Sequence, residues 1–162
     1  MRERRTGTNR RTGGFTLLEL ILTIAVLSII TAAAIPIARN AVQRQREVEL
    51  RRALRELRTA IDRYKRAYDA GILSRLETSA ETDGYPPNLD VLVNGVPLAG
   101  SPDRKIRFLR RIPVDPMTGR AEWGLRSTQD EPTARSWGGQ NVFDVYSLSE
   151  GTALDGTRYR EW

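Results

Sequence analysis

The chain contains no cysteine and no histidine. The first absence removes disulfides and thiolate chemistry, and the second removes the commonest metal ligand and general base. No nucleophile–base pair, phosphate-cradling loop or metal-ligand spacing takes their place. Asp115 and Asp144 read as turn and strand-edge residues rather than a catalytic dyad, so the expectation is a protein that is not an enzyme. Charge is scarce in one place: between Phe15 and Ala38 the sole ionisable side chain is Glu19. Helix breakers are scarce in another, with neither proline nor glycine between Pro36 and Gly71.

What is present is unevenly distributed. Residues 1–14 carry five arginines and one glutamate, residues 39–66 ten basic and four acidic side chains, and residues 67–162 eleven basic and fourteen acidic ones. The net charge of +6 therefore belongs to the leader and the first helix after the apolar run, while the remainder is mildly acidic. That asymmetry suits a stem lying near anionic lipid or against neighbouring acidic heads, and equally a solvated helix face. Nucleic acid is not expected as a partner, because the basic helix lacks interleaved aromatics.

Residues 1–14 are polar, without apolar periodicity, and read as a disordered leader retained in the cytoplasm by its positive charge. The run from Phe15 to Ala38 exceeds the roughly 20 apolar residues that cross a bilayer. Three readings of it compete. A secretory signal peptide would use Ala32-Ala33-Ala34 as its cleavage site, but its apolar core is normally shorter and lacks a carboxylate. A plain anchor leaves Glu19 as an uncompensated cost of roughly 2.5–3.5 kcal/mol at the bilayer centre. Cleavage between Gly14 and Phe15 would create an ammonium about one helical turn from Glu19, able to neutralise it within one chain or between neighbours.

Gly14-Phe15-Thr16-Leu17-Leu18-Glu19 after a short basic leader resembles the class III signal of type IV pilins and type II secretion pseudopilins. The resemblance implies a prepilin peptidase that cuts after Gly14 and methylates Phe15. It makes Glu19 the fifth residue of the mature chain, and Pro36 the proline that perturbs the end of the hydrophobic half. Proline removes a backbone hydrogen bond and clashes with the preceding turn, so Pro36 either loosens the helix for assembly or marks the end of the span.

Beyond Pro36, Leu50, Ala53/Leu54, Leu57, Ala60/Ile61, Tyr64 and Ala67/Tyr68 recur at helical spacing and predict one apolar stripe on a charged rod. Glu47 with Arg51 and Asp62 with Arg66 are expected as i, i+4 pairs on its exposed face. The head should hold a loop at Asp83–Pro87, short helices at 89–93 and 106–112, and a turn at Val114–Gly119. Strands are expected at 121–127 and 142–148, separated by a polar loop from Gln129 to Gly139, with a third short strand at 159–162. The fold class is α+β, pilin-like: a long N-terminal helix packed on a small head with an antiparallel sheet of about three strands. The organisation is leader 1–14, transmembrane or fibre-core helix 15–38, amphipathic stem 39–70 and head 71–162.

Tyr85-Pro86-Pro87, Phe108-Leu109, Ile112-Pro113-Val114-Asp115-Pro116 and Phe143-Asp144-Val145-Tyr146-Ser147, in that order, are similar to the major pseudopilin of type II secretion. That likeness implies a calcium ion in the loop after the second strand. Here the loop offers two carboxylates, Glu150 and Asp155, with Ser149 and Thr152 beside them. Calcium takes six to eight oxygens, so a calcium site and a metal-free turn both remain open. The resemblance further implies a single-pass inner-membrane subunit, head in the periplasm, that assembles into a homo-oligomeric fibre supporting secretion. Its partners would be minor pseudopilins, the assembly platform, the prepilin peptidase and membrane lipid. The rivals are a true or minor type IV pilin and a monomeric membrane-anchored binding module.

Overall fold

The computed structural model describes residues 14–74 and 82–162, with the backbone alone at 33–37. Its first helix, α1, spans Leu17–Asp69, and the chain divides into two compact units, Met1–Asn40 and Ala41–Trp162.

In the first unit Thr16 opens α1. Its Oγ1 accepts the Glu19 amide at 3.2 Å and its carbonyl accepts the Leu20 amide at 3.1 Å. A Thr-x-x-Glu sequence at this position is the pattern of a helix N-terminus. The helix here is apolar around its circumference and, among the described residues, finds nothing to pack on: Leu17 is 77 %, Leu18 76 % and Ile29 72 % exposed. Its hydroxyls turn inward on the helix itself. Thr23, Ser28 and Thr31 each donate at 2.8 Å to a carbonyl three or four residues back. A surface so arranged presents little unsatisfied polarity to apolar surroundings.

In the second unit α1 buries one stripe. Leu50, Leu54, Leu57, Ile61 and Tyr64 are each at most 2 % exposed, at the spacing read from the sequence. The helix stops at Gly71, whose φ of +68° is open to glycine without strain. The Gly71 amide donates to the Tyr68 carbonyl at 2.9 Å and Ile72 to Ala67 at 3.0 Å, closing a Schellman cap. The chain then passes alongside β1 (Val96–Leu98) through a bridge between Leu73 and Leu98. Between them lie a loop through Asp83–Pro87 and the short helix α2 (Asp90–Asn94).

Among the described residues the head carries two antiparallel pairs. β1 pairs with β2 (Ser101–Ile106) through Val96↔Ile106 and Pro97↔Lys105. β3 (Gly124–Arg126) pairs with β4 (Asp144–Tyr146) through Gly124↔Tyr146 and Arg126↔Asp144. Gly124 is set by close approach, since a Cβ there would fall within the Tyr146 ring. The Arg126 guanidinium covers that ring at 4.2 Å from its centroid. Trp123, Val142, Val145, Leu92, Leu109 and Tyr159 complete the core against the α1 stripe.

The architecture is α+β, with a long N-terminal helix and small antiparallel sheets, consistent with a pilin-like fold. Four details differ from expectation. Two two-stranded sheets replace one sheet of about three strands. Tyr159–Glu161 is a 3-10 turn, not a third strand, because it turns the Tyr159 ring inward toward α1. Residues 107–112 form no helix: the amides of Phe108 and Leu109 both donate to the Leu92 carbonyl at 2.9 Å, which holds the segment across α2. Neither expected i, i+4 ion pair on the stem forms, since Glu47 is buried under the loop at 147–156 and Arg66 Nε donates to the Asp62 carbonyl at 3.2 Å.

Candidate processing and assembly site

Residues 14–16 precede the helix without regular secondary structure. A Cβ added at Gly14 would meet no atom within 4 Å, and Phe15 beside it is exposed. The Gly14–Phe15 bond is thus accessible and non-helical, as a protease substrate needs to be. Glu19 stands three residues inside the helix start, where the unpaired amides at the N-terminus favour a negative charge. Among the described residues its carboxylate has no ion-pair partner. Thr16, which the motif supplies and the sequence reading did not single out, fixes the backbone that carries Glu19. The leader up to residue 13 lies outside the described residues, as does the side chain of Pro36. Among the described residues no helix is long and apolar enough to cross a membrane. Leu17–Ala32, the apolar part with described side chains, amounts to about 24 Å of helix, short of the roughly 30 Å hydrocarbon layer.

The four residues expected around calcium are brought near one another in the chain but not into a ligand set. Glu150 directs both carboxylate oxygens at Arg160 Nη1, at 3.2 and 3.0 Å. Asp155 accepts from the Thr157 amide and hydroxyl at 3.0 and 2.6 Å, and faces Arg51 at 3.6 Å. These bonds, with the positive charge of Arg51, hold the Asp155 carboxyl below its usual range. Ser149 Oγ accepts the Gly151 amide at 3.3 Å, and the Thr152 carbonyl accepts from Gln43 at 3.0 Å. Each carboxylate is engaged by its own cation, and among the described residues no cluster of three acidic side chains could hold an ion. As arranged, the loop does not fit calcium.

A side chain of the stem holds the loop instead. Glu47, 5 % exposed, accepts the Leu154 amide at 2.9 Å and the Tyr159 hydroxyl at 3.0 Å through Oε1. Gln43 Nε2 donates to the Tyr159 hydroxyl at 2.9 Å. Burial raises the Tyr159 phenol above its ordinary value; Glu47 adds to that, and the Gln43 hydrogen bond opposes it. Two arginines extend the clasp. Arg51 lies over the Trp162 ring, 4.1 Å from its centroid. Arg58 reaches Asp144 at 2.7 Å and the carbonyls of Val145 and Trp162 at 3.1 and 2.9 Å. Sequence reasoning missed this cluster, because its stem and head partners lie 86 to 116 residues apart.

Asp115 and Asp144 sit where the sequence put them, in a turn and a strand. Asp115 is fully buried and accepts the Ser147 hydroxyl at 2.6 Å and the Met117 amide at 2.7 Å. It braces the turn against the end of β4.

A family model described as the prokaryotic N-terminal methylation motif matches residues 9–35, the segment that holds Gly14, Phe15 and Glu19. The match supports a type IV pilin-like subunit. No curated protein and no solved structure matches the chain.

Proposed function

We propose that this chain is a structural subunit of a type II secretion pseudopilus. It is cut between Gly14 and Phe15, methylated on Phe15 and held in the inner membrane by its apolar helix with the head in the periplasm. From there it is assembled into a helical fibre that supports protein secretion. The observation that carries the reading is the methylation motif at 9–35, placed at the start of a helix whose apolar surface has no cover of its own. The order of the head motifs, from Tyr85-Pro86-Pro87 to Phe143-Asp144-Val145, supports the narrower assignment to secretion.

Glu19 has the central assembly role. An unpaired carboxylate among packed apolar stems is costly, and the new Phe15 amine of a neighbouring subunit satisfies it and sets the register. Head-to-tail contacts of that kind propagate without closing. Mass spectrometry of the mature protein tests the processing step: the expected N-terminus is a methylated Phe15. An N-terminus after Ala34, or an uncut leader, rejects the reading. Glu19→Ala should leave the head folded and abolish fibres.

A further inference from the structure

Glu19 does not stand alone on its face of the apolar helix. At 3.6 residues per turn, Thr23 follows it by one turn, about 40° round the axis and about 6 Å along it. Ser28 lies on the opposite side of the helix, and Thr31 about 120° away. Glu19 and Thr23 are both exposed, and the leucines that flank them, Leu20 and Leu27, are 52 % and 62 % exposed. The Thr23 hydroxyl has a fixed polarity. Its proton goes to the Leu20 carbonyl at 2.8 Å, so Oγ1 has only lone pairs left to offer, and among the described residues no donor reaches it. Thr16 differs, since its Oγ1 already accepts the Glu19 amide at 3.2 Å. The face therefore presents a carboxylate without a cation and, one turn on, a hydroxyl oxygen with unused acceptor capacity.

Resting on the fibre reading, we propose that Thr23 is the second acceptor for the methylated Phe15 amine of a neighbouring copy and positions that amine against Glu19. Charge and donor count both select this occupant. From Phe15 to Ala38 the sole ionisable side chain is Glu19, so the cation that packed stems themselves bring to one another is the new amine. The matching family model, which covers Glu19 and Thr23, is that of a methylation motif, and a once-methylated α-amine is a secondary ammonium with two N–H donors. Those two bonds diverge at the tetrahedral angle, more widely than the two oxygens of a single carboxylate. Glu19 accepts one of them straight and would bend the other well below a favourable angle. Thr23 accepts the second. No N–H is then left unpaired among apolar stems, where such a group is costly, and the methyl group is left to the flanking leucines.

The test uses the full chain, processed in its own membrane. Electron cryomicroscopy of the assembled fibre gives the direct readout. The Phe15 nitrogen of one copy should lie about 2.7–3.2 Å from a Glu19 oxygen and from Thr23 Oγ1 of the same neighbour. Thr23→Val keeps the shape and removes the acceptor, and should lower the yield of sheared fibres about tenfold. Thr23→Ser returns the oxygen and should restore the yield. Ser28→Val, which removes a hydroxyl bonded in the same way on the opposite face, should leave it unchanged. Mass spectrometry of each variant checks for a methylated Phe15, which separates a loss of assembly from a loss of processing. A nitrogen that meets Glu19 but not Thr23, a full yield from Thr23→Val, or equal losses from Thr23→Val and Ser28→Val overturns this inference alone. A nitrogen remote from Glu19, or a processed chain that forms no fibre, rejects the assembly reading as well.

Discussion

The two halves of α1 differ in what their apolar residues touch. Leu27 and Leu57 occupy the same helix, yet Leu27 is 62 % exposed and Leu57 is fully buried. From Ala41 onward the stripe is satisfied by the head of its own chain. Before Asn40, among the described residues, it is satisfied by nothing. Burying a leucine is worth roughly 1.5–3 kcal/mol, so an uncovered run of them leaves a large favourable term unused. The amphipathic half makes the fold, and the proposed function assigns the apolar half to membrane and fibre.

That contrast is broken most sharply by one pair of substitutions. Leu57→Ala should cost about 2–5 kcal/mol of head stability, measured by denaturant unfolding of the full chain in detergent. Leu27→Ala should leave the same transition within about 0.5 kcal/mol. A comparable loss from both would mean that the apolar half packs on the head. Next in size is Glu47→Ala, which strands the Leu154 amide and the Tyr159 hydroxyl and should cost about 1–3 kcal/mol; Glu47→Gln should recover part of it. Susceptibility to proteolysis in 147–162 follows the same order.

A smaller effect concerns acid. Hydrogen bonds from the Ser127 and Gly138 amides, at 2.7 and 3.1 Å, lower the Asp130 carboxyl below its ordinary range, and Asp155 is lowered too. A depressed carboxyl stabilises the fold above its unfolded pKa and loses that contribution as pH falls through the folded value. Melting temperature should therefore decline below about pH 4, and Asp130→Asn should flatten the decline. The smallest expected change is none: calcium or a chelator should leave the melting temperature where it is, since Arg51 and Arg160 occupy the two loop carboxylates.

The stem was legible because its signal is local. Leu50 to Tyr64 repeat at helical spacing, and that period survives any tertiary context. The N-terminal methylation motif was legible for the same reason, and the Thr16–Glu19 cap could have been read from the Thr-x-x-Glu pattern. The β1–β2 hairpin was not legible: Pro102 lies in the second strand and residues 102–105 are all exposed, so no alternation marks it. Glu47 misled for a different reason. Four residues before Arg51 on a charged helix, it has the form of a surface ion pair. Only partners 107 and 112 residues downstream make it a buried acceptor.

Those separations bear on the order in which the molecule can be made. α1 leaves the ribosome early, and helix formation needs no distant partner. Its clasp closes only when Leu154 and Tyr159 have been synthesised, and closing so long a loop is entropically slow. Until then the stem stripe is open, so Glu47 gains its two acceptor contacts, with Leu154 and Tyr159, among the last steps of folding.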